Sequence, residues 1–349
     1  MKILHNEQIF TYIDSDKIPD GVFRRYLLVK DKKRKYFRRQ DHNKTVVHWG
    51  QRKLLLSEVE FLTKFSNDDD IVLYVGAAGG LHIILLSLMF PKLNFVLFDK
   101  TKFECINSNK IHIYNRYFTD KDAHYFKKYA DRLLFISDIR SVRVRDTLNI
   151  ENVVYEDMSL QQEWYNIINP KKSMFKFRLH WNDDVTSYIK GKLYLPVWGP
   201  KTTTESRLII DSNAGTKDYS NKDYEEQMFY FNTITRCLNY KHIDVNLPVI
   251  DNCYDCACEI YIWSLYYERY NINYNKLCNI IKHIKNSNYN RRVISSYLNT
   301  DNNIFLKEES KNFSEFVSRM IIYSSYLCSK FYTYKKLNET VFNHESKTS

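Results

Sequence analysis

The chain has 349 residues, 44% hydrophobic and 15% aromatic, with 28 tyrosines and 21 phenylalanines but only 8 glycines and 6 prolines. It can bury one large core or two small ones, and the composition excludes collagen-like, Gly/Ser-linker and Pro-rich disordered classes. Its net charge is +11; no apolar run reaches the ~18 residues of a membrane span, and MKILHNEQIF has no apolar secretory region.

The first element is a basic segment. Ten Lys and Arg residues between Arg24 and Lys44 face only Asp31 and Asp41, which puts +8 of the +11 there, with Tyr26, Tyr36 and Phe37 interleaved. Cations displace counterions from a phosphate backbone and rings accept bases face-on, so this pattern predicts contact with a polyanion. A helix follows over 50–65, where Leu54, Leu55, Val59 and Leu62 recur at helical spacing. Ile71–Val75 is apolar throughout, the mark of a strand buried on both faces of a parallel sheet. A helix over 81–90 and a strand over 94–98 come next. Further strands are expected at 110–114 and 133–137, with a helix over 121–129 between them. The pattern continues with a helix at 156–168, a strand at 174–179, a helix at 183–189, and strands at 193–197 and 207–210. Helices dominate from Asp223, one of them aromatic-rich near 257–270. Alternating β and α units predict an open, mostly parallel, doubly wound α/β sheet. The stretch 299–303 reads as a loop.

Three of the eight glycines, Gly76, Gly79 and Gly80, fall between the first strand and its helix. Such a cluster lets the backbone turn tightly and a ligand approach it closely. A dinucleotide fold would want glycine at position 78, which is Ala78. Asp99 ends the next strand, placed to accept hydrogen bonds from a ribose diol. A nucleoside without a pyrophosphate, such as S-adenosylmethionine, fits better than NAD, and an NAD-dependent oxidoreductase is disfavoured.

Four charged residues then stand near predicted strand ends or on the first helix: Lys53, Asp138, Lys176 and Glu205. QRKLLLSEVEFL, VLYVGAAGG, ISDIRS, FKFR, TESRL and YEEQMFYFN resemble stretches of the poxvirus cap-specific mRNA 2′-O-methyltransferases, which double as the small, processivity subunit of the viral poly(A) polymerase. The resemblance is strongest over 49–236. It implies a class I S-adenosylmethionine-dependent methyltransferase fold, divided into a basic arm (1–47), the methyltransferase core (48–240), a helical C-terminal extension (241–336) and a disordered tail (337–349).

By that resemblance Lys53, Asp138, Lys176 and Glu205 are the catalytic tetrad, with Lys176 at the reacting oxygen. Gln51, Tyr74, Gly76, Gly80, Asp99, the backbone region of Phe118, and Asp138 would hold S-adenosylmethionine. Two positions depart from the family: Gly79 stands for a proline, and Thr101 for an arginine that Lys100 or Lys102 would replace. Trp181 matches one of two rings that sandwich 7-methylguanine, and Tyr26 and Tyr36 are both candidates for the other. Asp183 and Glu225 match the carboxylates that read the base edge, while Arg178, Thr203, Thr204 and Glu205 would line the phosphate path. The implied partners are 7-methylguanosine-capped mRNA and a polymerase catalytic subunit. The implied location is the host cytoplasm, in the viral factory, with packaging in the virion.

Two further readings stand beside this one. A methyltransferase fold that only binds RNA and polymerase is the rival, but a pure binder need not keep all four tetrad residues. Cys253, Cys256 and Cys258 suggest zinc, but with no second ligand pair at suitable spacing, buried thiols and no metal are expected. An odd total of seven cysteines predicts a reducing compartment.

Overall fold

The computed structural model describes residues 20–37, 49–105, 107–141, 150–242 and 252–270. The 299–303 loop, most of the extension and the tail lie outside the described residues.

A seven-stranded sheet forms the centre. The elements are α1 (Trp49–Phe65), β1 (Ile71–Val75), α2 (Leu81–Met89), β2 (Asn94–Phe98), β3 (Ile111–Tyr114), α3 (Asp120–Phe126), β4 (Leu133–Ser137), α4 (Ile150–Ile168), β5 (Lys172–Phe177), β6 (Val185–Ile189), β7 (Lys192–Tyr194), β8 (Ser206–Asp211), β9 (Thr216–Ser220), α5 (Asn221–Thr233) and α6 (Tyr254–Tyr270). The sheet order is β3-β2-β1-β4-β5-β8-β7. The first five strands are parallel, and β8 runs antiparallel to β5 with Lys176 opposite Arg207. This is the class I methyltransferase arrangement. Because β8 is reversed, its beginning lies at the same rim as the ends of β1, β4 and β5.

Alternate residues feed two cores. Val72, Tyr74, Leu134 and Ile136 pack with α1, α2 and α6, while Leu73, Val75, Leu133 and Phe135 pack with α3 and α4. Local chemistry sets the helix ends. Asp122 accepts the Thr119 N–H at 2.9 Å to start α3, and Ser220 Oγ accepts the Asp223 N–H at 3.3 Å to start α5.

One expected helix is a strand. Residues 183–189 contain β6, in which Thr186 and Tyr188 are buried while Val185 and Ser187 are exposed. That alternation, on residues suited to a pleated surface, outweighs any helical spacing, and β9 supplies the partner. The helix expected at 156 begins at Ile150, and β5 occupies 172–177, two residues earlier than expected.

The described part of the basic arm is built into this core. Leu27 N–H donates to Leu193 O and Leu195 N–H to Arg25 O, both at 2.8 Å, so the arm lies antiparallel along β7. Gln227 Nε2 donates to Leu28, Val29 and Asp31 carbonyls. At the other end, α6 of the expected extension buries Trp263 and joins α1 through the Arg52–Glu259 ion pair. Cys256 and Cys258 are buried on α6, and burial pushes the Cys258 thiol well up. Among the described residues no helix is long and apolar enough to cross a membrane, and no group of His, Cys, Asp or Glu is placed to hold a metal ion.

Candidate active site

The turn after β1 uses left-handed backbone at Gly76, Ala78 and Gly80. A Cβ on Gly76 would sit 2.8 Å from the Ile139 nitrogen, and one on Gly80 2.8 Å from Cys105 Sγ. Glycine is therefore needed to close the turn onto the chain leaving β4 and onto the loop after β2. At the end of β2, Asp99 Oδ2 accepts the Ala78 N–H at 2.8 Å and Oδ1 accepts the Thr101 N–H at 2.7 Å. Each oxygen has one of these donors and keeps acceptor capacity for a diol. Thr101 thus contributes its backbone, while Lys100 Nζ lies 5.3 Å from the Tyr117 ring centre. Lys102 is exposed.

Tyr74 does not present its side chain here. It is fully buried, and its hydroxyl donates to Glu58 at 2.6 Å, so only its backbone can face a ligand. Phe118 likewise packs its ring inward, edge-on to Phe98 and Trp164. Gln51 lies on α1, and its side chain is outside the described residues.

The four predicted tetrad residues meet on the strand-end rim. Lys53 from α1 donates to Glu205 Oε1 at 2.6 Å. Lys176 Nζ stands 3.5 Å from Asp138 Oδ1 and 3.8 Å from Glu205 Oε2. A fifth member, Arg207, lies 2.9 Å from Asp138 Oδ1 and 3.2 Å from Glu205 Oε1. Burial lowers the Lys53 ammonium, with Arg207 and Lys176 adding to the effect and Glu205 opposing it. Burial would raise the Glu205 carboxyl, but Lys53, Lys176 and Arg207 hold it well below the usual range. The cluster therefore carries charge in a site largely closed to water, where such interactions are strong.

A second group of side chains gathers just beyond the end of β5. Arg178 stacks its guanidinium 4.7 Å from the Trp181 ring centre, and Glu151 from α4 pairs with Arg178. Tyr36 brings its ring to 6.2 Å from Trp181, tilted by 50°, and its hydroxyl donates to Thr202 O. Tyr26 is elsewhere, packed edge-on against Tyr194 at 4.8 Å. Of the two candidate rings, Tyr36 is the one beside Trp181. Glu225 is half-buried; burial raises its carboxyl, Glu226 and Glu151 reinforce this, and Arg178 opposes it. Asp183 is exposed and lies 3.6 Å from His180 Nε2. The loop with Thr203 and Thr204 is held by Asn232 Nδ2 on Thr203 O, by the Tyr224 hydroxyl on Thr204 O, and by Thr203 Oγ1 accepting the Glu205 N–H.

The basic segment divides. Arg25 is 4% exposed and binds Glu60, Leu195 O and the Tyr254 hydroxyl. Arg24 pairs with Asp31, Lys33 with Asp223, and Arg34 with the Phe229 ring. Lys30, Lys32 and Lys35 are exposed, and Arg38, Arg39 and Lys44 lie outside the described residues.

Sequence reasoning missed Arg207, Glu151 and Arg25. Arg207 had a signal, since two residues apart on an extended chain share a face and it follows Glu205 by two. Glu151 and Arg25 had none, because their partners are distant in the chain.

A sequence profile of the poly A polymerase regulatory subunit family matches residues 24–341. Proteins of Myxoma virus strains Lausanne and Uriarra, named cap-specific mRNA (nucleoside-2′-O-)-methyltransferase, are 28% identical over 234 residues, covering 61% of this chain and 68% of theirs. Bluetongue virus VP4, described as a multifunctional RNA-capping production line, aligns with a TM-score of 0.41 and 13% identity over 61% of this chain and 37% of its own. Human methyltransferase-like protein 13 in complex with SAH aligns with a TM-score of 0.28 and 14% identity, over 57% and 94%. With 24–341 matched, including the whole described core, this chain belongs to the poly(A) polymerase regulatory subunit family.

Proposed function

We propose that this protein methylates the ribose 2′-hydroxyl of the first transcribed nucleotide in 7-methylguanosine-capped mRNA, using S-adenosylmethionine. The observation that carries the reading is the meeting of Lys53, Asp138, Lys176 and Glu205 at one rim, beside the glycine turn and Asp99.

The residues present fit a nucleoside cofactor. Asp99 is oriented by two backbone donors and retains lone pairs for a ribose diol, and the Gly76–Gly80 turn brings bare backbone to the strand ends. Asp138 would face the amino-acid part of the cofactor. When bound, S-adenosylmethionine supplies an electrophilic methyl group.

The remaining chemistry falls to the chain. A ribose hydroxyl is a weak nucleophile, so it must be aimed and relieved of its proton. Lys176 is beyond hydrogen-bond length from both neighbouring carboxylates, so its amine can engage the 2′-oxygen. In its neutral form it accepts the hydroxyl proton as the oxygen–methyl bond forms, and Asp138 and Glu205 stabilise the resulting ammonium. Lys53 and Arg207 fix Glu205 and Asp138 so that neither carboxylate immobilises Lys176. Trp181 and Tyr36 stack the cap base; their tilted 6.2 Å separation must open to about 7 Å to admit a ring at ~3.5 Å from each. Asp183 and Glu225 favour a cationic base, and Arg178 with Thr203 and Thr204 lies along the phosphates.

Family membership also supports a place beside a polymerase catalytic subunit, and we assign the site of action to the host cytoplasm, in the viral factory, with packaging in the virion. The test is transfer of labelled methyl from S-adenosylmethionine to 7-methylguanosine-capped RNA, followed by digestion. Label on the first nucleotide's 2′-oxygen is expected; no transfer, or label elsewhere, overturns the reading.

A further inference from the structure

Glu151 lies outside the tetrad and outside every motif of the sequence, yet it holds the ring assigned to the cap. It is the second residue of α4. Its Oε1 pairs with Arg178, and its Oε2 accepts the Trp181 backbone N–H at 3.0 Å. The neighbouring Asn152 accepts a hydrogen bond from Asn182 at 2.8 Å, and Tyr155 meets His180 edge-on at 5.3 Å. The start of α4 is therefore a splint for residues 178–182. Within that splint, the Arg178 guanidinium rests on the same indole that is to stack on the base, and Trp181 is 39% exposed.

Two cations on one aromatic ring, whichever faces they take, draw on the same π electrons and repel one another. An uncompensated Arg178 would weaken the pull of Trp181 on a methylated, positively charged guanine, and would offer a second cation to the phosphates of any nucleotide. We infer that Glu151 is a positioning residue for cap discrimination: it fixes Trp181 through its N–H and neutralises Arg178, so that the indole keeps its preference for 7-methylguanine over guanine. This inference rests on the cap-methyltransferase reading and names the residue that sets its selectivity.

The test compares 7-methyl-GTP with GTP, titrated against the full chain by tryptophan fluorescence quenching and calorimetry. Wild type is expected to prefer the methylated nucleotide. Glu151→Gln keeps an acceptor for the Trp181 N–H but removes the charge opposite Arg178, so the preference ratio falls at least fivefold. Glu151→Ala loses both contacts, and 7-methyl-GTP affinity falls at least tenfold. S-adenosylmethionine affinity of the same preparations stays within twofold of wild type. An unchanged ratio in both variants overturns the inference and leaves the cap reading standing. Loss of S-adenosylmethionine affinity in step with cap affinity makes Glu151 a general structural residue and also overturns it. A wild type with no preference for 7-methyl-GTP overturns the cap reading, and the inference with it.

Discussion

Lys53 on α1 and Glu205 before β8 are 152 positions apart, yet they form the shortest contact of the tetrad, at 2.6 Å. Arg207 reaches the same Oε1 at 3.2 Å, whereas Lys176 approaches the other oxygen only to 3.8 Å. One carboxylate thus binds two cations firmly and leaves the third loosely held. The loosely held one is Lys176, assigned to the reacting oxygen.

The first prediction concerns acid stability. Three cations hold the Glu205 carboxyl below its ordinary value against the effect of burial. A depressed carboxylate contributes stability above the unfolded value of ~4.3, and that contribution fades as pH falls through the folded value. Glu205→Gln is therefore expected to cost about 3 kcal/mol near neutrality, with the Lys53 ammonium losing its carboxylate and Lys176 and Arg207 left to share Asp138. Its deficit against wild type narrows below pH ~4.3. Denaturant titrations from pH 3 to 7 measure this, and a deficit that is flat with pH contradicts it.

A second prediction tests the cofactor assignment. Asp99→Ala removes an oriented acceptor, so S-adenosylmethionine affinity is expected to fall by ~1.5–3 kcal/mol, the range for hydrogen bonds to a charged group. Calorimetry on the folded variant reads this directly. Equal affinity places the ribose elsewhere.

Much of this architecture is legible in the sequence, and the exceptions share a cause. Ile71–Val75 and Leu133–Ser137 announce themselves because strands covered on both faces are apolar almost throughout, Ser137 being the exception. β6 escapes because its partner, Thr216–Ser220, is polar apart from a single buried Tyr219. Lys53, Asp138, Lys176 and Glu205 are recognisable as a set, but only the reversed β8 brings Glu205 to the rim. The choice between Tyr26 and Tyr36 depends on where the arm docks on β7, which no local pattern records. Tyr74 looks like a ligand contact by its position, but Glu58 turns its hydroxyl away.

A third prediction follows from the arm's docking. Arg25 belongs by composition to the run expected to contact a polyanion, but it is buried against Glu60, which is 0% exposed. Arg25→Ala is expected to destabilise the fold by ~3 kcal/mol, since it leaves the buried Glu60 carboxylate with Lys64, at 2.7 Å, in place of two cations and opens a hole beside Tyr254. A denaturation midpoint within error of wild type contradicts this.

The fourth prediction separates that role from RNA contact. Lys30, Lys32 and Lys35 are exposed. Changing all three to Gln is expected to leave stability within about 0.5 kcal/mol. The slope of log RNA affinity against log salt drops by roughly 2, at ~0.7 per lost contact to a single strand. An unchanged slope makes these lysines bystanders.

The last prediction addresses the chemistry. Lys176→Ala is expected to abolish methyl transfer while preserving affinity for both S-adenosylmethionine and capped RNA, because in the proposed mechanism the amine acts on the 2′-oxygen and not in binding. Lys176→Arg is expected to be nearly as inactive. A guanidinium does not release its proton near neutral pH, and its planar fork cannot reproduce a compact contact to one oxygen. The wild-type rate is expected to rise with pH, and that limb belongs to the coupled cluster rather than to one residue, since Lys53, lowered by burial, titrates within it. Single-turnover transfer at saturating RNA, measured from pH 6 to 9, separates these effects from binding. If Lys176→Ala turns over at near the wild-type rate, the amine that receives the proton lies elsewhere in the cluster, and Lys53 is the next residue to replace.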